Sequence, residues 1–332
     1  KTESVASPAV GAGAALMAPS PPWSSWTQEE CQVYAWQRVW KGRAKADGFY
    51  RSADGFVTAS LGMRSGSVRY WRDCHNKVLT VAFREVQNPA NVVNSLWNSA
   101  VQFGPQACHR AHGGFTHEYL GLQPGLKNIC EAHRDVLSDD SWLLLLTGWS
   151  LGGSLATLCA VDLLDCDFYP STRARSTSVV TFGAPRAVNY DLACWLNDLP
   201  LAHNLRVQAE GDPAISYPMQ SRGVYWHCGV LTMVRYIDGA WQVAEHSLQP
   251  DDDVGFLRRA IETVTIPLRV LDHLDVVLPG VSSLEGIGGA LVGLALDLPR
   301  NLLNLPTHFT SYQQAFGDSA SELEDAPEGR LH

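Results

Sequence analysis

The sequence lacks the features that would indicate a zinc site, a nucleic-acid interface or a membrane span. Its eight cysteines include no CxxC pair, so a structural zinc site is not expected. Acidic residues outnumber basic ones by 34 to 25, and the net charge of -9 argues against nucleic-acid binding, which needs a basic patch. The best candidate for a membrane span, 286–296, has eleven residues. As a helix it would reach about 16 Å, whereas the hydrocarbon core is about 30 Å thick.

The composition is that of an ordinary globular protein, with 45% apolar and 18% charged residues among 332. A chain of this length can form one large domain or two small ones, and it can bury a sizeable core without disulfides. We therefore expect mostly reduced cysteines, although the even count leaves a disulfide framework open. Cys159 and Cys166 flank an apolar helical stretch and are expected to be core thiols.

Both ends of the chain differ in composition from its middle. Residues 1–22 are rich in Ala, Pro, Ser and Gly, as in a linker or the remainder of a targeting peptide. We therefore expect an organelle, a mitochondrion or plastid, as the compartment. Residues 318–332 have the composition of a flexible tail. The span 23–317 is expected to be one domain, and a partner protein would be needed to order the two tails.

Strands and helices alternate from about residue 78 to residue 210, which predicts an α/β fold with a mostly parallel central sheet. Helices are predicted at 28–43 after a capping box, at 91–103, at 119–137 after Pro124, at 151–164, and in a C-terminal helical insertion at about 246–305. Strands are predicted at 67–73, 78–83, 142–147, 178–183, 205–210 and 224–230, followed by a hairpin that turns at Asp238-Gly239.

The motif G-W-S-L-G places Ser150 between an apolar strand and an apolar helix. Such a motif alone is weak, because Gly and Ser are common residues. The strand–turn–helix context is what a nucleophile elbow requires, and the free N–H groups of the helix would face the serine oxygen. We therefore interpret Ser150 as a catalytic nucleophile rather than a polar residue of a glycine-rich loop.

A serine nucleophile needs a histidine as base and an acid that orients the histidine. In such folds the acid follows the serine along the chain, and the histidine follows the acid. Asp212 comes directly after the strand at 205–210 and is the predicted acid, although Asp-Pro is also common in turns. His308 is the preferred base because it is predicted to lie in a loop before a final helix. His273, within a helical pattern, is the alternative, and His227 is expected to be structural.

Several stretches, in order, resemble the motifs of the class 3 lipase family of α/β hydrolases. They are AFREV (82–86), AHGGFTHEY (111–119), TGWSLGGSLA (147–156), TFGAPRAVN (181–189), GDPAISYP (211–218) and YWHCG (225–229). The family's final motif is matched in part by His273, which stands in the triplet D-H-L, and in part by His308, which is followed shortly by Tyr312.

The resemblance implies an α/β-hydrolase fold and hydrolysis of carboxylic esters, typically of glycerolipids, with no metal or organic cofactor. It implies a lipid ester as the partner, and a membrane or lipid surface as the place of action. Ser150 and Asp212 would be catalytic, and the N–H groups of Leu151 and Val86 would form the oxyanion hole. The lid would lie at about 88–103, with Asn91, Trp97 and Phe103 along it.

Two positions depart from the family pattern. Trp149 replaces the usual His before the serine, at a position that is normally buried. Glu85-Val86 replaces the usual Gly-Thr, which removes a bracing hydroxyl and brings a negative charge near the developing oxyanion. The sequence therefore leaves two functions open: a lipid-ester hydrolase, or a catalytically weak or inactive accessory subunit with a structural role in a larger, membrane-bound complex.

Overall fold

A computed structural model describes residues 20–43, 55–58, 67–85, 99–165, 171–210, 212, 214–218, 224–247 and 306–316. A mixed sheet of eight strands lies at the centre, in the order β1-β2-β3-β6-β7-β8-β9-β10. These strands are β1 (Gly55–Thr58), β2 (Ser67–Asp73), β3 (Val78–Phe83), β6 (Leu143–Trp149), β7 (Thr177–Phe182), β8 (His203–Ala209), β9 (Val230–Ile237) and β10 (Ala240–Ser247). A separate ribbon pairs β4 (Ala100–Gln102) with β5 (Arg110–His112).

The five central strands β3, β6, β7, β8 and β9 are parallel to one another, while β1, β2 and β10 pair antiparallel at the two margins. The described α-helices are α1 (Gln28–Arg43), α2 (Gly113–Ala132), α3 (Arg134–Leu137), α4 (Leu151–Asp165), α5 (Tyr190–Asp198) and α6 (Pro306–Phe316). The parallel arrangement brings the carboxyl ends of neighbouring strands to one edge of the sheet, where ligands of open α/β sheets bind.

Strand β6 shows how the sheet separates two hydrophobic cores. Leu144 and Leu146 pack with α2 and α4 on one face, whereas Leu143, Leu145 and Trp149 pack with α1 and α6 on the other. This alternation follows from the two-residue period of a strand, and it explains why β6 is apolar along its length. Trp149 is therefore a buried core residue, as the sequence predicts for this position.

Most of the predicted elements are confirmed to within two residues. The helix at 28–43 and the strands at 67–73 and 78–83 have the predicted bounds, and the hairpin turns at Asp238-Gly239 with positive φ at both residues. The capping box is formed, since the Thr27 Oγ1 accepts from the Glu30 N–H while the Glu30 carboxylate accepts from the Thr27 N–H. Local signals with a specific geometric requirement were therefore the most reliable ones.

Three helix and strand predictions were wrong in part. Helix α2 begins at Gly113 and contains Pro124. Proline has no N–H, so the Leu120 carbonyl loses its donor within the helix. The helix tolerates this loss because Leu120, with a side chain that is 39% exposed, lies on the water-facing side. Residues 100–102 at the end of the helix predicted at 91–103 form β4, and its residues 91–98 lie outside the described part. The stretch 224–230 forms only an isolated bridge at Trp226 before β9 begins.

The sequence did not reveal β1, the β4–β5 ribbon or α5. Residues 246 and 247, predicted as the start of the helical insertion, belong to β10, and the rest of that prediction, 248–305, lies outside the described residues. Seven cysteines in the described part are free, and Cys159 is fully buried in the core beside α2, as predicted, whereas Cys166 is not described. No described helix combines the length and the hydropathy that a membrane span requires.

The capping box predicts a measurable stability effect at the start of α1. Thr27→Ala removes the acceptor for the Glu30 N–H, and such a loss costs about 1 kcal/mol of unfolding free energy. Denaturant titration of the variant measures it. Ser24→Ala, which removes an exposed hydroxyl bound only to the Pro21 carbonyl, is the control and should leave stability nearly unchanged. Equal stability of the two variants would contradict the role given to the cap.

Candidate active site

Ser150 lies on the sharp turn between β6 and α4, at the carboxyl edge of the sheet. Its φ is +57°, in the left-handed region that residues with a side chain rarely adopt. The turn is held at both ends, because the Ser150 N–H donates to the Phe182 carbonyl at 2.9 Å and the Ser150 carbonyl accepts from the Gly153 N–H at 2.9 Å. The predicted strand–turn–helix is therefore present, and strain of this kind is typical of functional sites.

The glycines around Ser150 are required by close backbone contacts. A Cβ at Gly152 would collide with the carbonyl oxygen of Phe83, and one at Gly148 would collide with the backbone of Gly152. At Gly153 a Cβ would come within 2.6 Å of the Ala184 Cβ. These contacts pack α4 tightly against β3 and β7, which fixes the position of the serine relative to the sheet.

Leu151 is the first residue of α4, so its N–H has no partner within the helix and lies at the positive end of the helix dipole. This is the position that the sequence predicts for one oxyanion donor. The other predicted donor, Val86, lies outside the described residues. The two residues before it, Arg84 and Glu85, follow the end of β3 directly beside the turn, where β3 pairs with β6.

Asp212 lies at the same edge of the sheet, three residues after the end of β8, and its side chain is fully buried. Its Oδ2 accepts a hydrogen bond from the Tyr312 hydroxyl at 2.7 Å, and its Oδ1 accepts from the Ala214 N–H at 2.9 Å. Strand β7 separates β6 from β8, so the ends of the two strands lie about 10 Å apart, at about 4.8 Å per strand.

Tyr312 ties the last described helix to this edge. Its hydroxyl donates to Asp212 and accepts from the Ala209 N–H at 2.8 Å. Burial raises the pKa of the Tyr312 hydroxyl well above its usual value, and the Asp212 carboxylate raises it further, so the hydroxyl stays protonated and keeps donating. In the sequence, Tyr312 matches part of the family's last motif, but no contact was predicted for its side chain.

The prediction that His308 lies in a loop was wrong. Pro306 is the first residue of α6, so His308 lies in the first turn of that helix, since proline is well suited to a helix start. It precedes Tyr312 by four residues, and positions so spaced share one face of a helix. His273, the alternative base, lies outside the described residues.

His227, which the sequence predicts to be structural, contacts the turn after Asp212. Its Nε2 lies 2.9 Å from the carbonyl oxygen of Ile215, in the turn that follows Asp212. Of the predicted lid residues, Asn91 and Trp97 lie outside the described residues. Phe103 is partly buried after β4, with its ring edge-on to Tyr119 at 5.9 Å between ring centres. In the described part of the chain, no group of three metal-ligating side chains could hold a metal ion.

Comparisons with known proteins agree with this fold. The family model "Lipase (class 3)" matches residues 80–222. Rhizomucor miehei triacylglyceride lipase superposes with a TM-score of 0.52 at 19% identity, covering 63% of this chain and 81% of that one. A mutant form of MDLA from Penicillium cyclopium gives 0.53 at 19%, covering 72% and 91%. A fungal lipase–inhibitor complex gives 0.51 at 20%, covering 61% and 77%. These likenesses establish the α/β-hydrolase fold.

The contact between Tyr312 and Asp212 predicts that the tyrosine hydroxyl is needed at this edge. Tyr312→Phe leaves a buried carboxylate oxygen and the Ala209 N–H without their partner, which costs about 1–3 kcal/mol of unfolding free energy. Thermal or denaturant unfolding measures the loss. Tyr236→Phe is the matched control, because that side chain is 60% exposed, and it should change stability by less than about 0.5 kcal/mol. A Tyr312→Phe variant as stable as the control would contradict the contact.

Proposed function

We propose that the protein is a serine hydrolase that cleaves carboxylic ester bonds of lipids, because the class 3 lipase family model matches residues 80–222 of this chain. The observation that carries the proposal is the backbone at Ser150, held at φ +57° between a buried strand and a helix N-terminus. A turn of this kind exposes a serine oxygen while pointing free N–H groups at the place where negative charge develops.

In the proposed reaction the Ser150 hydroxyl oxygen attacks the acyl carbonyl, and a histidine takes the hydroxyl proton. Asp212 orients the imidazole and stabilises its charged form. The histidine then gives the proton to the leaving alcohol, which leaves the acyl group bonded to the Ser150 oxygen. Water attacks this acyl carbonyl while the histidine takes its proton, and the histidine returns that proton to the Ser150 oxygen as the fatty acid is released. Asp212 suits this role because it is buried and held by two hydrogen bonds, which fix the direction of the carboxylate.

His308 is the proposed base. Its support is positional: it lies one turn before Tyr312 in α6, and Tyr312 contacts the Asp212 carboxylate. A helix that approaches the acid in this way can bring a histidine of its first turn to the same edge of the sheet. His273 remains the alternative, and the comparison of the two variants below separates them.

The N–H groups of Leu151 and Val86 are the proposed oxyanion donors. The segment with Glu85 departs from the family pattern, and a carboxylate near the developing oxyanion would weaken its stabilisation. Losing one such donor lowers kcat by about 10²–10³ in known cases. A low turnover is therefore part of the proposal.

The proposed substrates are glycerolipid esters at a membrane or lipid surface, with residues 88–103 as the lid. A similar structure is described as a triacylglyceride lipase, which supports this substrate class by analogy. A second function stays open because of Glu85-Val86: a lipase-fold accessory subunit of an organellar, membrane-bound complex, with little or no turnover of its own. Catalysis by the isolated chain decides between the two.

The proposal predicts that hydrolysis of emulsified monoacylglycerol depends on Ser150 and on one histidine. Ser150→Ala should lower kcat by about 10³-fold or more, and His308→Ala should do the same, because the two residues act as one unit. His273→Ala is the matched control and should retain at least about a third of the activity, a loss of under ~1 kcal/mol of barrier.

Titration of the released fatty acid measures the activity, and circular dichroism checks that each variant is folded. Loss of activity in His273→Ala but not in His308→Ala would transfer the role of base to His273. A folded wild-type chain without turnover, in detergent as well as on lipid, would contradict the hydrolase and favour the accessory subunit.

A further inference from the structure

Two partly buried cysteines lie on neighbouring connections of the sheet. Cys194 belongs to α5, which connects β7 to β8. Cys228 belongs to residues 226–229, the return segment, which leads to β9 from the side of Asp212. Because β7, β8 and β9 are parallel neighbours, α5 and the return segment both run from the carboxyl edge of the sheet back to its amino edge. The two cysteines are therefore carried along neighbouring paths in the same direction.

Contacts at both ends align α5 with the return segment. At the start of the helix, the Tyr190 ring packs against the Trp226 ring at 5.1 Å between ring centres. Near its end, the Asn197 Oδ1 accepts a hydrogen bond from the Gly229 N–H at 2.8 Å. Positions 190, 194 and 197 of a helix share one face, since they are separated by four and three residues. The face of α5 that meets the return segment therefore includes Cys194.

The spacing along the two chains brings the cysteines to the same level. Cys194 comes four residues after Tyr190, which is about 6 Å along a helix axis. Cys228 comes two residues after Trp226, which is about 6.6 Å along an extended chain. The Asn197 side chain is short, so its hydrogen bond holds the two backbones close together, at a separation that suits the about 4.4–6.8 Å between the Cα atoms of a disulfide. The two thiols therefore lie within reach of each other after a change of rotamer.

Both thiols are accessible to a small reagent. Cys194 and Cys228 are partly exposed, and the return segment beside them is partly exposed as well. Cys228 also borders a cavity of about 10 Å³, which gives its side chain room to change rotamer. Three other cysteines of the described part are buried and therefore protected from such a reagent: Cys31, Cys130 and Cys159.

We propose that Cys194 and Cys228 form a disulfide when the folded protein meets a low-molecular-weight disulfide such as oxidised glutathione. The thiolate of one cysteine attacks a sulfur of the reagent, whose S–S bond breaks, and one glutathione thiolate leaves. The thiolate of the second cysteine then attacks the mixed disulfide and releases the other glutathione. The two cysteines lose two electrons and two protons in total, and these convert the reagent into two thiols. The proposal does not depend on the proposed hydrolase function.

The new bond would close a loop of the chain that contains β8 and Asp212. A disulfide between positions 194 and 228 restricts the unfolded chain and ties α5 to the return segment in the folded one. His227, within the return segment, contacts the Ile215 carbonyl in the turn after Asp212. Oxidation therefore stabilises the part of the fold that carries the proposed acid.

Oxidation of the folded full chain by a glutathione redox buffer, followed by trypsin digestion without reductant, tests the proposal. Trypsin places each cysteine in a peptide of its own, 187–206 and 223–235. Mass spectrometry should find these two peptides joined, with a mass two hydrogen atoms below their sum, and dithiothreitol should separate them. The Tm of the oxidised protein should exceed that of the reduced protein by about 3 °C or more.

Cys194→Ser and Cys228→Ser should each abolish the joined peptides and the rise in Tm. Cys74→Ser is the matched control, because Cys74 is exposed in the turn between β2 and β3, and it should keep both. Circular dichroism checks that each variant is folded. Absence of the joined peptides in the wild type, whether the thiols stay reduced or carry separate glutathione adducts, would overturn the proposal. A bond from Cys194 or Cys228 to another cysteine, such as Cys108, would overturn the pairing, and joined peptides with a lower Tm would show that the bond distorts the fold and contradict the alignment of the two connections.

Discussion

The close contact between the start of α4 and the ends of β3 and β7 is the constraint on which the rest of the site depends. Gly148, Gly152 and Gly153 leave no room for a Cβ, and Ser150 is held at positive φ by hydrogen bonds at both sides. The strain at one residue is tolerated because the apolar strand β6 is packed on both faces. The backbone geometry therefore fixes the position of Ser150 independently of the chemistry of its side chain.

The acid depends on a contact that spans a hundred residues. Asp212 is buried and accepts from Tyr312, which belongs to α6 at the far end of the described chain. Tyr312 and Phe316 of α6 belong to the same hydrophobic core as Trp36 and Trp149. The hydrophobic core on this face of the sheet therefore positions α6, whose Tyr312 holds Asp212. The same core contains Trp149, the residue before Ser150, so the proposed acid and nucleophile depend on one core.

Local signals in the sequence predicted the elements with a specific geometry: the capping box at Thr27, the elbow around Ser150 and the turn at Asp238-Gly239. Long-range effects were not predictable in the same way. Pro124 was predicted to precede a helix, but it lies inside α2, where the carbonyl that loses its donor is on the exposed side of the helix. His308 was expected in a loop, although Pro306 begins a helix there.

The central claim is that the backbone around Ser150 makes its hydroxyl a nucleophile. Reaction of the folded protein with a fluorophosphonate ester, followed by peptide mass spectrometry, tests it most directly, because the adduct marks the attacking atom. The account predicts a single adduct on the peptide that contains Ser150, formed faster in the presence of detergent or lipid. A folded protein that gains no adduct at Ser150 under either condition, or that reacts at a different serine, would contradict the claim.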